Sequence, residues 1–84
     1  MKVYFITFRS VTYAQRGERL MNRAGLRCSV QRTPRWMEEQ GCGYSLRVQT
    51  DDIARAVQIL RREQLPLRKV YLRLQDGGLE EAAL

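Results

Sequence analysis

The triplet Gly41-Cys42-Gly43 is where residue type and spacing in this chain point most directly to chemistry. It follows a loop-like stretch containing Arg32, Pro34 and Arg35. Glycines on both sides permit unusual backbone angles and leave a sulfur unshielded. Successive N–H groups in such a turn can form an anion-binding nest, and Arg32 and Arg35 add positive charge nearby in sequence. Surroundings of this kind lower a thiol pKa and stabilise the thiolate. A thiolate attacks sulfur or selenium electrophiles and can hold the product as a persulfide or selenosulfide, chemistry that needs no histidine. Glu38 and Glu39 oppose this if they fold over the sulfur. In the competing reading, Cys42 is a small apolar residue at a strand start and the glycines make a tight turn.

The other reactive candidates are few. The chain has no histidine, so the usual general base near neutral pH is missing. Its two cysteines are too few for a disulfide scaffold or for a protein-only zinc site. No metal or cofactor is expected. Cys28 shares its alternation with Val30 and has bulky neighbours, which reads as a buried structural role; a reversible pair with Cys42 is the alternative. Glu18 lies four residues after Ala14 and three before Met21, near a buried stripe, and a partly buried acid needs a partner. Arg35 or Arg47 could supply it, and Glu18 would then orient an arginine toward Cys42. The alternative is an ordinary ion pair or an edge residue reaching solvent. Ser10 reads most simply as a helix cap.

These residues need a scaffold, and 84 residues make one domain with a thin core. No apolar run approaches the length of a membrane span. The opening MKVYFITF lacks the pattern of a signal peptide, which favours the cytoplasm, where thiols stay reduced. Residues 1–75 carry all fifteen basic residues against six acidic ones, a charge of +9. The last nine, DGGLEEAAL, carry −3. A basic body suggests anionic partners, or only solubility. The expected organisation is a single domain over 1–75 and an acidic C-terminal tail over 76–84 that frays or forms a short helix.

Residues 3–8, VYFITF, are rich in aromatic and β-branched types and read as a central strand. A helix is expected from about Thr12 to Ala24, capped by Ser10 or Thr12, weakened by Gly17 by roughly 1 kcal/mol and stopped at Gly25. LRCSVQ alternates as a second strand that Pro34 ends, and GYSLRV as a third. TDDIARAVQILRREQ gives the strongest helix, capped by Thr50 or Asp51, with Ile53, Ala56, Val57 and Leu60 as its buried stripe. RKVYLRL alternates as a fourth strand with Val70, Leu72 and Leu74 inward. The fold class is thus α+β. The order β-α-β-β-α-β predicts a ferredoxin-like split β-α-β, a four-stranded antiparallel sheet with two helices on one face. The open face would carry Arg27, Ser29, Gln31, Ser45, Arg47, Lys69, Tyr71 and Arg73, with either Tyr4, Ile6 and Phe8 or Val3, Phe5 and Thr7 from the first strand.

Over most of residues 4–71 the chain resembles the putative selenium/sulfur carrier protein-like family of small bacterial proteins. YFITFRS is similar to that family's opening strand, Ala14 and Glu18 to its first-helix pattern, and TPR (33–35) to its Pro-Arg element. Cys42 and Gly43 match its Cys-Gly pair, followed by an arginine at Arg47. Where the family carries a short serine-rich stretch, this chain has WMEEQG and is one residue longer. The resemblance implies a carrier of selenium or sulfur on Cys42, working beside selenium-metabolism proteins.

The first functional expectation is therefore a carrier or thiol-based accessory protein without independent catalytic activity. Cys42 is its reactive site, Arg35, Gly41 and Gly43 hold the anion or cargo, and Glu18, Ser10 and Arg47 support them. Its partners would be a selenium- or sulfur-transfer protein and a second copy bound through the open sheet face. The second expectation is a nucleic-acid-binding module, in which Phe5, Tyr71, Arg47 and Arg73 bind bases and phosphates. The third is a structural or regulatory dimerisation module.

Overall fold

The computed structural model describes residues 1–33 and 43–82. Strand β1 (Lys2–Thr7) leads through helix α1 (Val11–Arg23) to β2 (Arg27–Arg32). After residues 34–42 come β3 (Tyr44–Thr50), helix α2 (Ile53–Arg62), β4 (Val70–Arg73) and β5 (Leu79–Glu81). The sheet order is β2-β3-β1-β4-β5, and every neighbouring pair is antiparallel. The protein is a mixed α+β fold with two helices and an antiparallel sheet. No helix is long and apolar enough to cross a membrane among the described residues.

The expected four-stranded sheet is corrected to five strands, and the element order gains a strand after β4. Residues that composition sets apart as an acidic tail include β5. Leu79, Glu80 and Glu81 pair with Arg73, Leu72 and Tyr71, and Ala82 N donates to Val70 O at 2.7 Å. The physical reason is the free edge of β4, whose unpaired backbone groups offer a template to any extended segment that returns to them. Asp76 helps the chain reverse: its Oδ1 accepts from Gly78 N at 2.8 Å.

The helix-facing side of β1 carries Tyr4, Ile6 and Phe8, all buried, which decides between the two alternations open in the sequence. They join Leu46, Val48 and Val70 from the sheet, Ala14 and Met21 from α1, and Ile53, Ala56, Val57 and Leu60 from α2 in one core cluster. Leu72 is half-buried against it, whereas Leu74 lies beyond β4 and is exposed. Gly17 sits where α1 presses hardest on this core. A β-carbon there would lie 2.9 Å from Leu46 Cδ1 and 3.2 Å from Phe8 Cζ. The residue that weakens the helix by propensity is the one that lets it approach the sheet.

Caps fix both helices. Ser10 is the N-cap of α1, and its Oγ accepts from Tyr13 N at 3.2 Å. Asp52, rather than Thr50 or Asp51, caps α2, with Oδ1 accepting from Arg55 N at 3.2 Å. Thr50 acts one step earlier, accepting from Asp52 N at 3.0 Å through its Oγ1.

Candidate functional site

The two strands that lead into and out of residues 34–42 lie side by side. β2 and β3 pair from Arg27↔Gln49 to Arg32↔Tyr44. One step further, Thr33 N donates to Gly43 O at 2.7 Å. Arg32 holds its guanidinium over the Tyr44 ring, 5.8 Å from the centroid, a cation–π contact at the same strand ends. Gly43, bonded directly to Cys42, is buried and has φ +83°, a left-handed conformation that a side chain disfavours. Cys42, Arg35 and Gly41 themselves lie outside the described residues.

The remaining expected site residues fall in separate places. Glu18, half-buried on α1, accepts from the backbone N–H of Val30 through Oε2 at 3.0 Å. β2 is an edge strand, and this N–H points away from β3, so the carboxylate occupies a donor that the ladder leaves free. Arg47 lies on the sheet face opposite the helices, in a row that crosses all five strands: Ser29, Arg47, Phe5, Tyr71 and Glu81. The structure therefore does not bring Glu18 and Arg47 together. Ser10 lies at the start of α1 as its cap.

Cys28 is a free, half-buried thiol. Its Sγ donates toward Glu18 O and Asn22 Oδ1, each at 3.7 Å. Burial first, and the Glu18 carboxylate second, push its pKa up from 9.0 to about 11. At neutral pH this sulfur is a protonated, poorly nucleophilic thiol.

Two residues at the same strand ends, Ser45 of the expected open face and Thr33 of TPR, were not expected to be buried. Thr33 and Ser45 bury their hydroxyls without a hydrogen-bond partner. Nothing in the sequence marks their burial, which depends on a register that the long connection conceals. Among the described residues, no group of three His, Cys, Asp or Glu is placed to hold a metal.

The described residues form a mixed sheet-and-two-helix domain in which the paired strands β2 and β3 end beside Thr33 and Gly43. The family model described as Putative Se/S carrier protein-like matches residues 3–72, and the chain belongs to that family. No curated protein and no solved structure matches the chain.

Proposed function

We propose that the protein carries sulfur or selenium on Cys42. The observation that carries this reading is the state of the other thiol. Burial and Glu18 hold Cys28 protonated, so a family named for chalcogen transport has one remaining cysteine in this chain with which to do it. Gly43 supports it from the described side, since its left-handed backbone sets the exit from Cys42 into β3.

In the transfer step, the Cys42 thiolate attacks the terminal atom of a donor persulfide or perselenide, R–S–SH or R–S–SeH. A new S–S or S–Se bond forms at Cys42, the donor's own bond breaks, and the donor sulfur leaves with the electron pair as a thiolate. The transferred atom keeps its hydrogen and its oxidation state, so no external oxidant or reductant enters. Delivery is the same exchange with an acceptor thiolate. Arg35 and the backbone N–H groups at Gly41 and Gly43 favour the thiolate and the cargo's charge, and Arg47 adds to the local positive potential. The donor and acceptor are thiol-bearing transfer proteins in a reducing cytoplasm.

The test is mass spectrometry under non-reducing conditions after incubation with a persulfide or perselenide donor. Wild type and Cys28→Ser should each gain one sulfur or selenium on the peptide containing Cys42, and Cys42→Ser should gain none. Loading on Cys28, or on neither cysteine, would falsify the proposal.

A further inference from the structure

The sheet face turned away from the helices carries an aromatic pair at its centre. Phe5 of β1 and Tyr71 of β4 are direct cross-strand partners, and both are partly exposed. Such partners hold their β-carbons about 5 Å apart, so the two side chains form one continuous apolar platform. Arg47 is the partner of Phe5 on its other side, and Ser29 and Glu81 end the row. One alternation step away on the same face stand Arg27 on β2, Val3 on β1 and Arg73 on β4. Because β2 runs parallel to β1 and β4 antiparallel to it, all three lie toward the start of β1. A cleft of about 690 Å³ opens at that end, with Lys2, Val3, Leu72 and Arg73 in its lining. Val3 and Arg73 belong to both, so the cleft continues the platform.

The charges around the platform select its occupant. Arg27, Arg47 and Arg73 make no ion pair among the described residues. Glu81, the acid at the end of the row, already lies 3.6 Å from Lys69. A second copy of the chain would press this patch against its own image, guanidinium facing guanidinium. The charge therefore disfavours self-pairing here and favours a polyanion. The aromatic pair narrows the choice further. A duplex hides the faces of its bases in the stack, and an acidic peptide has carboxylates but no repeating ring. A single strand of nucleic acid offers both phosphates for the arginines and unpaired bases that stack on aromatic side chains.

We infer that this face is a binding platform for single-stranded RNA, with bases on Phe5 and Tyr71 and phosphates on Arg27, Arg47 and Arg73. RNA is the source of the strand, because its loops, bulges and ends are where unpaired bases stand open. The row from Ser29 to Glu81 crosses the whole sheet, roughly 19 Å at the usual strand spacing. That is room for about two or three bases, the number an aromatic-bearing sheet stacks. Cys42 takes no part in this binding, which is independent of the carrier reading.

The experiment is fluorescence anisotropy of an end-labelled, mixed-sequence RNA of about eight nucleotides, titrated with the full chain. Cys42→Ser protein is measured beside wild type and should bind equally, which separates this result from any failure of the carrier reading. With three phosphates neutralised, log affinity should fall against log salt with a slope of about −2, or about twentyfold between roughly 50 and 200 mM. Tyr71→Ala should weaken binding about tenfold at fixed salt, and Tyr71→Phe, which keeps the ring, should bind as wild type does. Arg73 is exposed, so Arg73→Gln should leave the fold intact and reduce the slope to about −1.4. Absence of binding at low salt overturns the inference. Binding that Tyr71→Ala leaves unchanged in a folded protein overturns it too, since that is attraction of charge alone. So does tighter binding to duplex or single-stranded DNA of the same sequence. A dimer in light scattering that Arg73→Gln strengthens, without RNA binding, would assign the face to a second copy instead.

Discussion

Glu18 Oε2 accepts a 3.0 Å hydrogen bond from the backbone N–H of Val30, joining the middle of α1 to the edge strand β2. The carboxylate satisfies a donor that no strand reaches. Glu18→Ala should destabilise the protein by roughly 1–2 kcal/mol, the cost of leaving a half-buried N–H unbonded. Glu18→Gln, which keeps an oxygen acceptor, should lose less. Denaturant unfolding gives the magnitude, and hydrogen exchange at the Val30 amide gives the cause. Val30 exchange as slow in Glu18→Ala as in wild type would rule out this role.

The same carboxylate lies behind a pH effect. Cys28 has its pKa raised from 9.0 to about 11 by burial and by Glu18. A pKa raised on folding means that the folded state favours the thiol. Its contribution to stability is fully present below about pH 9 and is lost as pH rises through about 11. The difference in melting temperature between wild type and Cys28→Ser should therefore shift against wild type over that interval. In Glu18→Gln, alkylation of Cys28 should set in at lower pH than in wild type but still above the ordinary value, because burial is the larger cause. A half-maximal alkylation rate for wild-type Cys28 near pH 9 would contradict the assignment.

Gly17→Ala tests the contact of α1 with the sheet. Alanine gains about 1 kcal/mol of helix propensity in an ordinary helix interior. Here its β-carbon meets Leu46 Cδ1 at 2.9 Å, Phe8 Cζ at 3.2 Å and Leu65 Cδ2 at 3.4 Å. All three residues are essentially fully buried and have little room to yield. Overpacking of roughly 1–3 kcal/mol should outweigh the propensity gain. Thermal unfolding should show a lower melting temperature, and a rise would mean that the helix shifts outward freely.

Removing residues 79–84 tests whether β5 is part of the folding unit. Truncation deletes the pairs Tyr71↔Glu81, Leu72↔Glu80 and Arg73↔Leu79, the bond from Ala82 N to Val70 O, and the Lys69–Glu81 ion pair at 3.6 Å. The ion pair is largely solvent-exposed and contributes little. The loss comes from the ladder and from Ala82 packing on the core. Melting temperature should fall and the newly exposed β4 edge should promote self-association, visible in light scattering. An unchanged melting temperature and a monomer would assign β5 no structural role.

Alternation made β2, β3 and β4 legible, because a half-buried strand must alternate in residue type, and aromatic and β-branched content did so for β1. The stripe Ile53, Ala56, Val57 and Leu60 did the same for α2, and all four are buried. β5 was illegible for a related reason. Leu79, Glu80 and Glu81 have no apolar alternation of their own and become a strand only because β4 offers an edge. Of the site, the Cys-Gly pair and its glycines are a pattern in the residues themselves and can be read from them. The requirement of Glu18 for a partner was also legible, yet that partner is a backbone N–H, which every residue except proline possesses and which therefore leaves no mark in a sequence. Ser45 was placed on the open face and Thr33 within TPR, but the burial of their hydroxyls was not legible, because a nine-residue interruption hides which residue of β2 faces which of β3.

The bond from Thr33 N to Gly43 O, 2.7 Å long, fastens the neck of the interval between them. Strand pairing is complete on one side of that clasp, so residues can be added or exchanged on the other without shifting a single cross-strand partner. The sheet is a fixed frame on its own side of the clasp. WMEEQG, residues 36–41, falls in that interval, so its sequence can change while the register of β2 and β3 stays as it is.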